Sequence, residues 1–232
     1  MGHETGTAPG VRGRRVLLAG GTSDAGRTCA RTLRRAGARV IVVGTDDGRL
    51  RDLATDVPGV DLERCDLTDP AAVEALRDRM YERYGPVDGL LHLVGGWRGG
   101  GGLAGQSDED LSFLLRSFTA LRNVSRTFDD DLRASDAGRL AIVSSTAVAR
   151  PLAGGANYAA VKAASEAWTR AVAQGFAKDA RDTERELRAA AVVFRARTLA
   201  GAEQVLADAF LALWDAPATA ANDRVVEVVA GG

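Results

Sequence analysis

Residues 140–162 read Leu-Ala-Ile-Val-Ser-Ser-Thr-Ala-Val-Ala-Arg-Pro-Leu-Ala-Gly-Gly-Ala-Asn-Tyr-Ala-Ala-Val-Lys. The apolar run 140–143 predicts a strand, which leads into the hydroxyl side chains of Ser144, Ser145 and Thr146. The alanine-rich stretch that follows predicts a helix, on which Tyr158 and Lys162 share one face because they are four residues apart. The stretch therefore predicts a strand–helix unit that carries hydroxyl, phenol and ammonium groups.

These side chains suit proton transfer at an oxygen atom. A phenol titrates near pH ~10, and a nearby lysine ammonium favours the phenolate. Tyr158 could then give a proton to a carbonyl oxygen or take one from an alcohol, while a serine hydroxyl stabilises the developing charge. The alternative is that Tyr158 and Lys162 are ordinary helix residues and that Ser144 and Ser145 form a helix cap or a turn.

The same alternation of strand and helix patterns runs through the rest of the chain. Apolar or alternating runs predict strands, at residues 16–19, 40–43, 60–65, 87–94, 140–143, 190–194 and 225–229. Helical patterns lie between them, at residues 27–36, 49–54, 70–84, 108–132, 158–178 and 202–214. This alternation predicts an α/β fold with a doubly wound parallel sheet. We expect a single domain at residues 13–232, preceded by a flexible, polar, glycine-rich tail at residues 1–12.

Composition narrows the classes of function. The 30 basic and 31 acidic side chains among 232 residues give no sign of a surface for nucleic acid or membrane. No apolar run reaches the ~20 residues of a membrane span. Cys29 and Cys65 are isolated and lack metal-ligand spacing, which favours a reduced, cytoplasmic setting without a metal site.

Ser145, Tyr158 and Lys162 resemble, in type and spacing, the active site of the short-chain dehydrogenase/reductase family. The resemblance implies a Rossmann-type domain, a homodimer or homotetramer, and NAD(P)-dependent interconversion of a small-molecule carbonyl and an alcohol. It makes Tyr158 the proton donor or acceptor and Ser145 the group that polarises the substrate oxygen. It also implies that Lys162 favours the phenolate and binds the nicotinamide ribose. Where the family has an asparagine that helps to hold a proton-relay water, this chain has Ser117.

The turn after the first predicted strand resembles the family's phosphate-binding turn. The family pattern is Thr-Gly-x-x-x-Gly-x-Gly, and residues 19–26 read Ala-Gly-Gly-Thr-Ser-Asp-Ala-Gly. Gly20 and Gly26 match the outer glycines, and Thr22 and Ser23 add hydroxyls that could bind a phosphate. Asp24 replaces the middle glycine, and we expect it to crowd and repel a pyrophosphate.

Further matches follow the second, third and fourth predicted strands. In the family, an acid after the second strand favours NAD and a basic residue favours NADP. Gly44 and Thr45 stand there, so the missing acid favours NADP slightly. Asp66 and Leu67 lie where the family contacts adenine, and Gly95 matches the glycine of its Asn-Asn-Ala-Gly motif.

Two motifs of the family are altered. His92 stands amid apolar residues in place of an asparagine, and we expect a satisfied core histidine rather than a catalytic one. Residues 194–198 read Phe-Arg-Ala-Arg-Thr and lack the family's Pro-Gly. The helix predicted from residue 202 also leaves almost no segment to act as a substrate lid.

The sequence leaves three functions open. The intact serine, tyrosine and lysine favour an NAD(P)-dependent oxidoreductase. The altered motifs favour a redox-inactive member of the family, kept as a binding or assembly subunit. Since a fold does not settle a function, the same side chains could also perform non-redox acid–base chemistry such as elimination or cyclisation.

Overall fold

The computed structural model describes residues 10–230 of the chain. Its strands are β1 Arg15–Ala19, β2 Arg39–Gly44, β3 Asp61–Arg64, β4 Gly89–His92, β5 Arg139–Ser145, β6 Ala190–Ala196 and β7 Arg224–Val228. Its α-helices are α1 Asp24–Arg35, α2 Asp47–Asp56, α3 Pro70–Tyr84, α4 Asp108–Thr127, α5 Asp129–Ala134, α6 Ala156–Asp182, α7 Glu203–Leu211 and α8 Ala218–Ala221. Short 3-10 helices lie at Thr146–Val148, Ala153–Gly155 and Ala212–Trp214.

The strands form one parallel sheet in the order β3-β2-β1-β4-β5-β6-β7. This topology confirms the predicted single-domain, doubly wound α/β fold. The strand order reverses between β1 and β4, which are neighbours although they are distant in sequence. Sheets of this kind bind ligands at such a switch point, beyond the carboxyl ends of the strands. The turns that follow β1 and β4 therefore meet at a candidate cleft.

Both faces of the sheet are covered by helices. Leu18 and Val42 belong to the apolar core beneath α1, α2 and α7, whereas Leu17 and Ile41 belong to the core beneath α3, α4 and α6. Burial on both faces explains why the central strands read as continuous apolar runs. Among the described helices, none has the length and apolar character that a membrane crossing requires.

Several element ends differ from the sequence predictions. Helix α1 begins at Asp24 rather than at residue 27, because the Ser23 hydroxyl accepts a hydrogen bond from the Gly26 N–H and caps the helix. The helix predicted at 108–132 is interrupted at the buried Phe128. A new helix, α5, starts with three aspartates, which are favourable at a helix N-terminus.

The predicted N-terminal tail is described only in its last residues. Residues 1–9 lie outside the described part of the chain. Val11 is buried in the core beneath α1. The turn that follows it is fixed by a hydrogen bond from the Gly13 N–H to the Gly37 carbonyl. From residue 10 onward, the described chain therefore packs against the domain.

Candidate active site

A cleft lies over the carboxyl ends of the strands and has two connected parts. The first part, of about 410 Å³, is bordered by the turn after β1, the ends of β2 and β3, and helix α4. The second part, of about 260 Å³, is bordered by α6 and the segment after β6. Five residues line both parts, namely Ser23, Leu93, Val94, Gly95 and Gly96. The two parts therefore form one elongated cleft across the switch point.

Tyr158 and Lys162 line the second part of the cleft. Helix α6 begins two residues before Tyr158, and the Lys162 Nζ lies 5.8 Å from the centroid of the Tyr158 ring. The Lys162 Nζ also donates to the Val143 carbonyl at 2.8 Å, which fixes it against the end of β5. Burial lowers the pKa of Lys162 to about 8, and the negative charge of Glu166 opposes this effect. The phenol and the ammonium group are thus brought together as predicted.

The two serines at the end of β5 have different partners. Ser144 lines the cleft, but its hydroxyl donates to Glu166 Oε1 at 2.6 Å. The Ser145 Oγ accepts a hydrogen bond from the Ala147 N–H at 3.1 Å, and its own hydrogen has no acceptor among residues 10–230. Ser145 is buried and is not among the residues that line the cleft. Of the two hydroxyls, only that of Ser145 keeps a hydrogen that is not donated to another of residues 10–230.

Ser117 lies in the first part of the cleft rather than beside Tyr158. Its hydroxyl donates to the Leu114 carbonyl at 2.8 Å, one turn earlier in α4. Its own carbonyl is 3.1 Å from His92 Nε2. In this position the Ser117 hydroxyl is used within its own helix, and Ser117 lines the first part of the cleft whereas Tyr158 and Lys162 line the second.

His92 is buried at the end of β4 and lines the second part of the cleft. Burial, and then the positive charge of Lys162, lower the pKa of His92 to about 3, so the ring is neutral near pH 7. Because a carbonyl can only accept, Nε2 must carry the hydrogen and Nδ1 must be the acceptor. Nδ1 is buried without a partner among the described residues, so the expectation of a satisfied core histidine holds for only one ring nitrogen.

The turn after β1 is shaped by close backbone packing. Gly20 has φ +78°, and a Cβ there would lie 2.7 Å from the Val94 side chain. A Cβ at Gly26 would lie 2.1 Å from the Gly21 carbonyl, so this glycine lets α1 approach the turn and does not itself line the cleft. Gly20, Thr22 and Ser23 do line it. Both outer glycines are therefore required by the fold.

Asp24 does not line the cleft. It is the exposed first residue of α1, has no positive φ, and is absent from the lining of both parts of the cleft. The helical backbone here accommodates a side chain, and the crowding of a bound pyrophosphate by Asp24 stays a prediction. Its carboxylate still lies in the first turn of α1, where the partial positive charge of the helix would otherwise favour an anion.

The first part of the cleft ends between β2 and β3. Thr45 lines it, and Asp46 caps α2 by accepting from the Arg49 N–H at 2.9 Å. The Arg49 side chain also lines it, and Arg49 Nη2 lies 3.5 Å from the Thr22 carbonyl. A guanidinium group is thus present at this end, one turn further along the chain than the family position.

Asp66 and Leu67 line the same part of the cleft after β3. The Asp66 carboxylate accepts from the Thr68 N–H at 2.9 Å and from the Thr68 hydroxyl at 2.7 Å, which forms a tight turn. These bonds lower the pKa of Asp66. The amide of Asn123, on α4, donates to the Leu67 carbonyl at 3.1 Å and fixes the loop from behind.

The loop after β4 is joined to the segment that precedes Tyr158. The Gln106 Nε2, with two hydrogens, lies 3.1–3.2 Å from the carbonyls of Gly100, Gly102 and Gly154, which share its two N–H groups, while its Oε1 accepts from the Asn157 N–H. This amide thus joins the loop after β4 to the segment that leads into α6. Only residues 197–202 separate β6 from α7, which agrees with the predicted short lid.

A charge pair with a buried carboxylate lies next to this site and was not predicted from the sequence. Glu166 lies one turn after Lys162 on α6 and accepts two hydrogen bonds from Arg195, at 2.8 Å and 2.6 Å. Ser144 and Arg195 are paired in register on β5 and β6. The only sequence signal was the spacing of Glu166 from Lys162, which places both on one helix face.

Comparisons with known proteins identify a family and relatives of this chain. The profile of the family described as short chain dehydrogenase matches residues 14–180. The 2,3-dihydro-2,3-dihydroxybenzoate dehydrogenase of Bacillus subtilis is 27% identical over 169 residues, which cover 70% of this chain and 64% of that protein. The fluoren-9-ol dehydrogenase of Terrabacter is 31% identical over 162 residues, which cover 64% of this chain and 44% of that protein. The chain spans less than two thirds of the length of these curated relatives.

A solved structure supports the fold. The NADPH-bound short chain oxidoreductase of Pseudomonas aeruginosa, described as containing an atypical catalytic center, matches with a TM-score of 0.80. The match covers 94% of this chain and 96% of that chain at 20% sequence identity. At this identity the likeness shows a shared fold and leaves activity to be argued from the site.

Proposed function

The chain belongs to the short-chain dehydrogenase family, and we propose that it is an NADP-dependent oxidoreductase that interconverts a carbonyl and an alcohol. The observation that carries this proposal is the placement of Tyr158 and Lys162 in one part of a cleft whose other part extends along the turn after β1. A bound nicotinamide would supply or accept the hydride. The protein's side chains would then transfer one proton and stabilise the charge that develops on one oxygen atom.

The proposed roles follow from the contacts of each side chain. Tyr158 exchanges a proton with the substrate oxygen, since it lines the cleft and lies against the ammonium group of Lys162. Lys162 favours the phenolate by its charge. We assign to Ser145 the hydrogen bond to the same oxygen, because its hydroxyl hydrogen is not used within the described part of the protein. Ser145 lies behind the surface of the cleft, next to the cleft-lining Ser144. Ser117, predicted from the sequence as a fourth catalytic group, has no such role in this proposal.

The residues of the cleft fit a dinucleotide. The two parts together have room for a long ligand, and Gly20 keeps the turn after β1 close to the strand ends. Thr22 and Ser23 offer hydroxyls at the N-terminus of α1, where a pyrophosphate is favoured. A Cβ at Gly95 would lie 3.6 Å from Lys162 Nζ, so this glycine keeps space beside the ammonium group for a ribose.

The end of the cleft near β2 favours NADP over NAD. Thr45 and Asp66 complete the lining there, and no carboxylate stands at Gly44 or Thr45 to accept from ribose hydroxyls. Arg49 supplies a guanidinium group that could bind a 2′-phosphate. Leu67 provides an apolar contact for the adenine side.

Assembly and location remain predictions. We propose a homodimer or homotetramer, and the groove of about 330 Å³ between α4 and α6 offers a surface for a second copy. Trp168 lines this groove and donates from its indole to the Ser125 hydroxyl at 2.9 Å. A cytoplasmic location is proposed only from the scarcity of cysteines.

A redox-inactive family member is the second candidate. The carboxylate of Asp24 at the N-terminus of α1 favours it, because this charge opposes a pyrophosphate. A third candidate is non-redox acid–base chemistry with the same Tyr158 and Lys162. Titration with NADPH, followed by nucleotide fluorescence, separates the first candidate from the others. Saturable binding that is tighter for NADPH than for NADH supports the proposal, and no binding of either at millimolar concentration overturns it.

A further inference from the structure

A polar network links three neighbouring elements behind the Tyr158–Lys162 site. Both oxygens of the Glu166 carboxylate are occupied, since Oε1 accepts from Ser144 and Arg195 and Oε2 accepts from Arg195. Glu166 is buried, whereas Arg195 is partly exposed. Because Ser144 lies on β5, Arg195 on β6 and Glu166 on α6, this one carboxylate holds together the three elements that frame the second part of the cleft.

The same network lies within one helical turn of Lys162. Lys162 donates to the Val143 carbonyl, and Glu166 accepts from the next residue, Ser144, so α6 contacts two consecutive residues of β5. Lys162 and Glu166 do not form an ion pair, because the lysine nitrogen lies more than 4.0 Å from both carboxylate oxygens. The carboxylate therefore acts on the ammonium group through space, while Arg195 neutralises part of its charge.

We propose that Glu166 and Arg195 are positioning residues that set the charge of Lys162. Glu166 holds Lys162 as an ammonium ion beside Tyr158, and Arg195 limits this effect. This inference extends the proposed function, since the ammonium ion is the form that favours the Tyr158 phenolate. It also gives a reason for burying a carboxylate at this position. An ion pair that served only to pack the three elements together could be replaced by apolar side chains.

The electrostatic surroundings agree with this assignment. Burial raises the pKa of Glu166, but the bonds from Arg195 and Ser144 outweigh it, so the net pKa is lowered and the carboxylate stays ionised. His92 is neutral near pH 7 and does not compensate the charge of Lys162. The titratable or charged groups around Lys162 and its network are Tyr158, Glu166 and Arg170 on α6, His92 on β4, Arg195 on β6, Arg197 directly after β6, and Glu227 on β7.

The chain has only two lysines, Lys162 and Lys178, so the inference can be tested by direct titration. Protein labelled with ¹³C-lysine gives two sets of side-chain signals, whose chemical shifts report the charge of each ammonium group. Lys178 is exposed and pairs with Asp182, and it supplies an internal reference in every spectrum. The measurement needs neither cofactor nor substrate, so its result stands whether or not the protein proves to be an oxidoreductase.

Opposite substitutions should move the Lys162 midpoint in opposite directions. Glu166→Gln removes the negative charge and leaves Arg195, so the midpoint should fall by about one to two pH units. Arg195→Met leaves Glu166 without its neutralising partner, so the midpoint should rise. The double variant should return towards the wild-type value. A loss of packing alone cannot produce shifts of opposite sign.

Ser144→Ala is the matched control, because it removes a hydrogen bond of the network and no charge. It should move the midpoint less than either charge variant does. The inference is overturned if Glu166→Gln and Arg195→Met shift the midpoint in the same direction, or if neither shifts it. Where NADPH-dependent turnover is found, the alkaline limb of kcat/KM should move in the same order as these midpoints.

Discussion

Replacing Lys162 by methionine should stabilise the protein near neutral pH. Burial lowers the pKa of Lys162 from 10.5 to about 8. At about 1.36 kcal/mol per pH unit, that difference means that holding the ammonium ion in the folded state costs at most about 3 kcal/mol below pH 8. Methionine has similar bulk and no charge, but it leaves the Val143 carbonyl without its donor, which costs about 1 kcal/mol. The expected net gain is about 2 kcal/mol.

The gain should depend on pH with a definite sign. Between about pH 8 and pH 10.5 the unfolded chain still holds the lysine proton that the folded protein has released, so wild-type stability rises with pH in this window. Lys162→Met has no such titrating group. Its gain in the free energy of unfolding over the wild type should therefore shrink by about 2 kcal/mol between pH 8 and pH 9.5. Urea unfolding at both pH values measures the difference.

Lys178→Met is the matched control, since that side chain is exposed. It should show no comparable change of the free energy of unfolding relative to wild type across the same pH range. A Lys162→Met advantage that stays constant with pH, or a variant that is less stable than wild type at pH 7, would refute the reasoning that burial of the ammonium ion is costly.

Two further predictions concern the nucleotide end of the cleft. Asp24→Gly and Asp24→Asn should both tighten NADPH binding by about fivefold in fluorescence titrations, because each removes a carboxylate from the N-terminus of α1; tightening by glycine alone would point to backbone shape instead. Arg49→Met should weaken NADPH binding by about tenfold and leave NADH binding unchanged, since only NADPH carries the 2′-phosphate; an equal loss for both nucleotides would remove Arg49 from cofactor selection.

The fold could be predicted because its signals are local. Apolar runs, the glycine turn at residues 20–26 and helical patterns such as that at residues 70–84 each report the state of their own segment, and their alternation implies a parallel sheet. In the structure α3 spans Pro70–Tyr84, and Asp69 caps it. The spacing of Tyr158 and Lys162 likewise predicts that they share a face, because four residues make about one helical turn.

The parts of the site that escaped prediction depend on contacts between distant segments. Glu166, which lies 22 residues beyond Ser144, accepts the hydrogen of the Ser144 hydroxyl. This contact determines which of the two serines keeps a hydroxyl hydrogen. The Ser117 hydroxyl is bound to its own helix, and the His92 ring is satisfied at one nitrogen only among the described residues. The helical pattern of residues 108–132 likewise does not reveal the break between α4 and α5, where the backbone of the buried Phe128 leaves the helical conformation.

The proposed oxidoreductase function is tested most directly by NADPH consumption with a carbonyl substrate, comparing the wild type with Tyr158→Phe. The wild type should oxidise NADPH with the ketone or aldehyde supplied, whereas Tyr158→Phe should bind NADPH with similar affinity and lose at least about a hundredfold in kcat. Undiminished turnover in Tyr158→Phe, or a wild type that binds neither NADPH nor NADH, would contradict the assignment of this cleft as a redox active site.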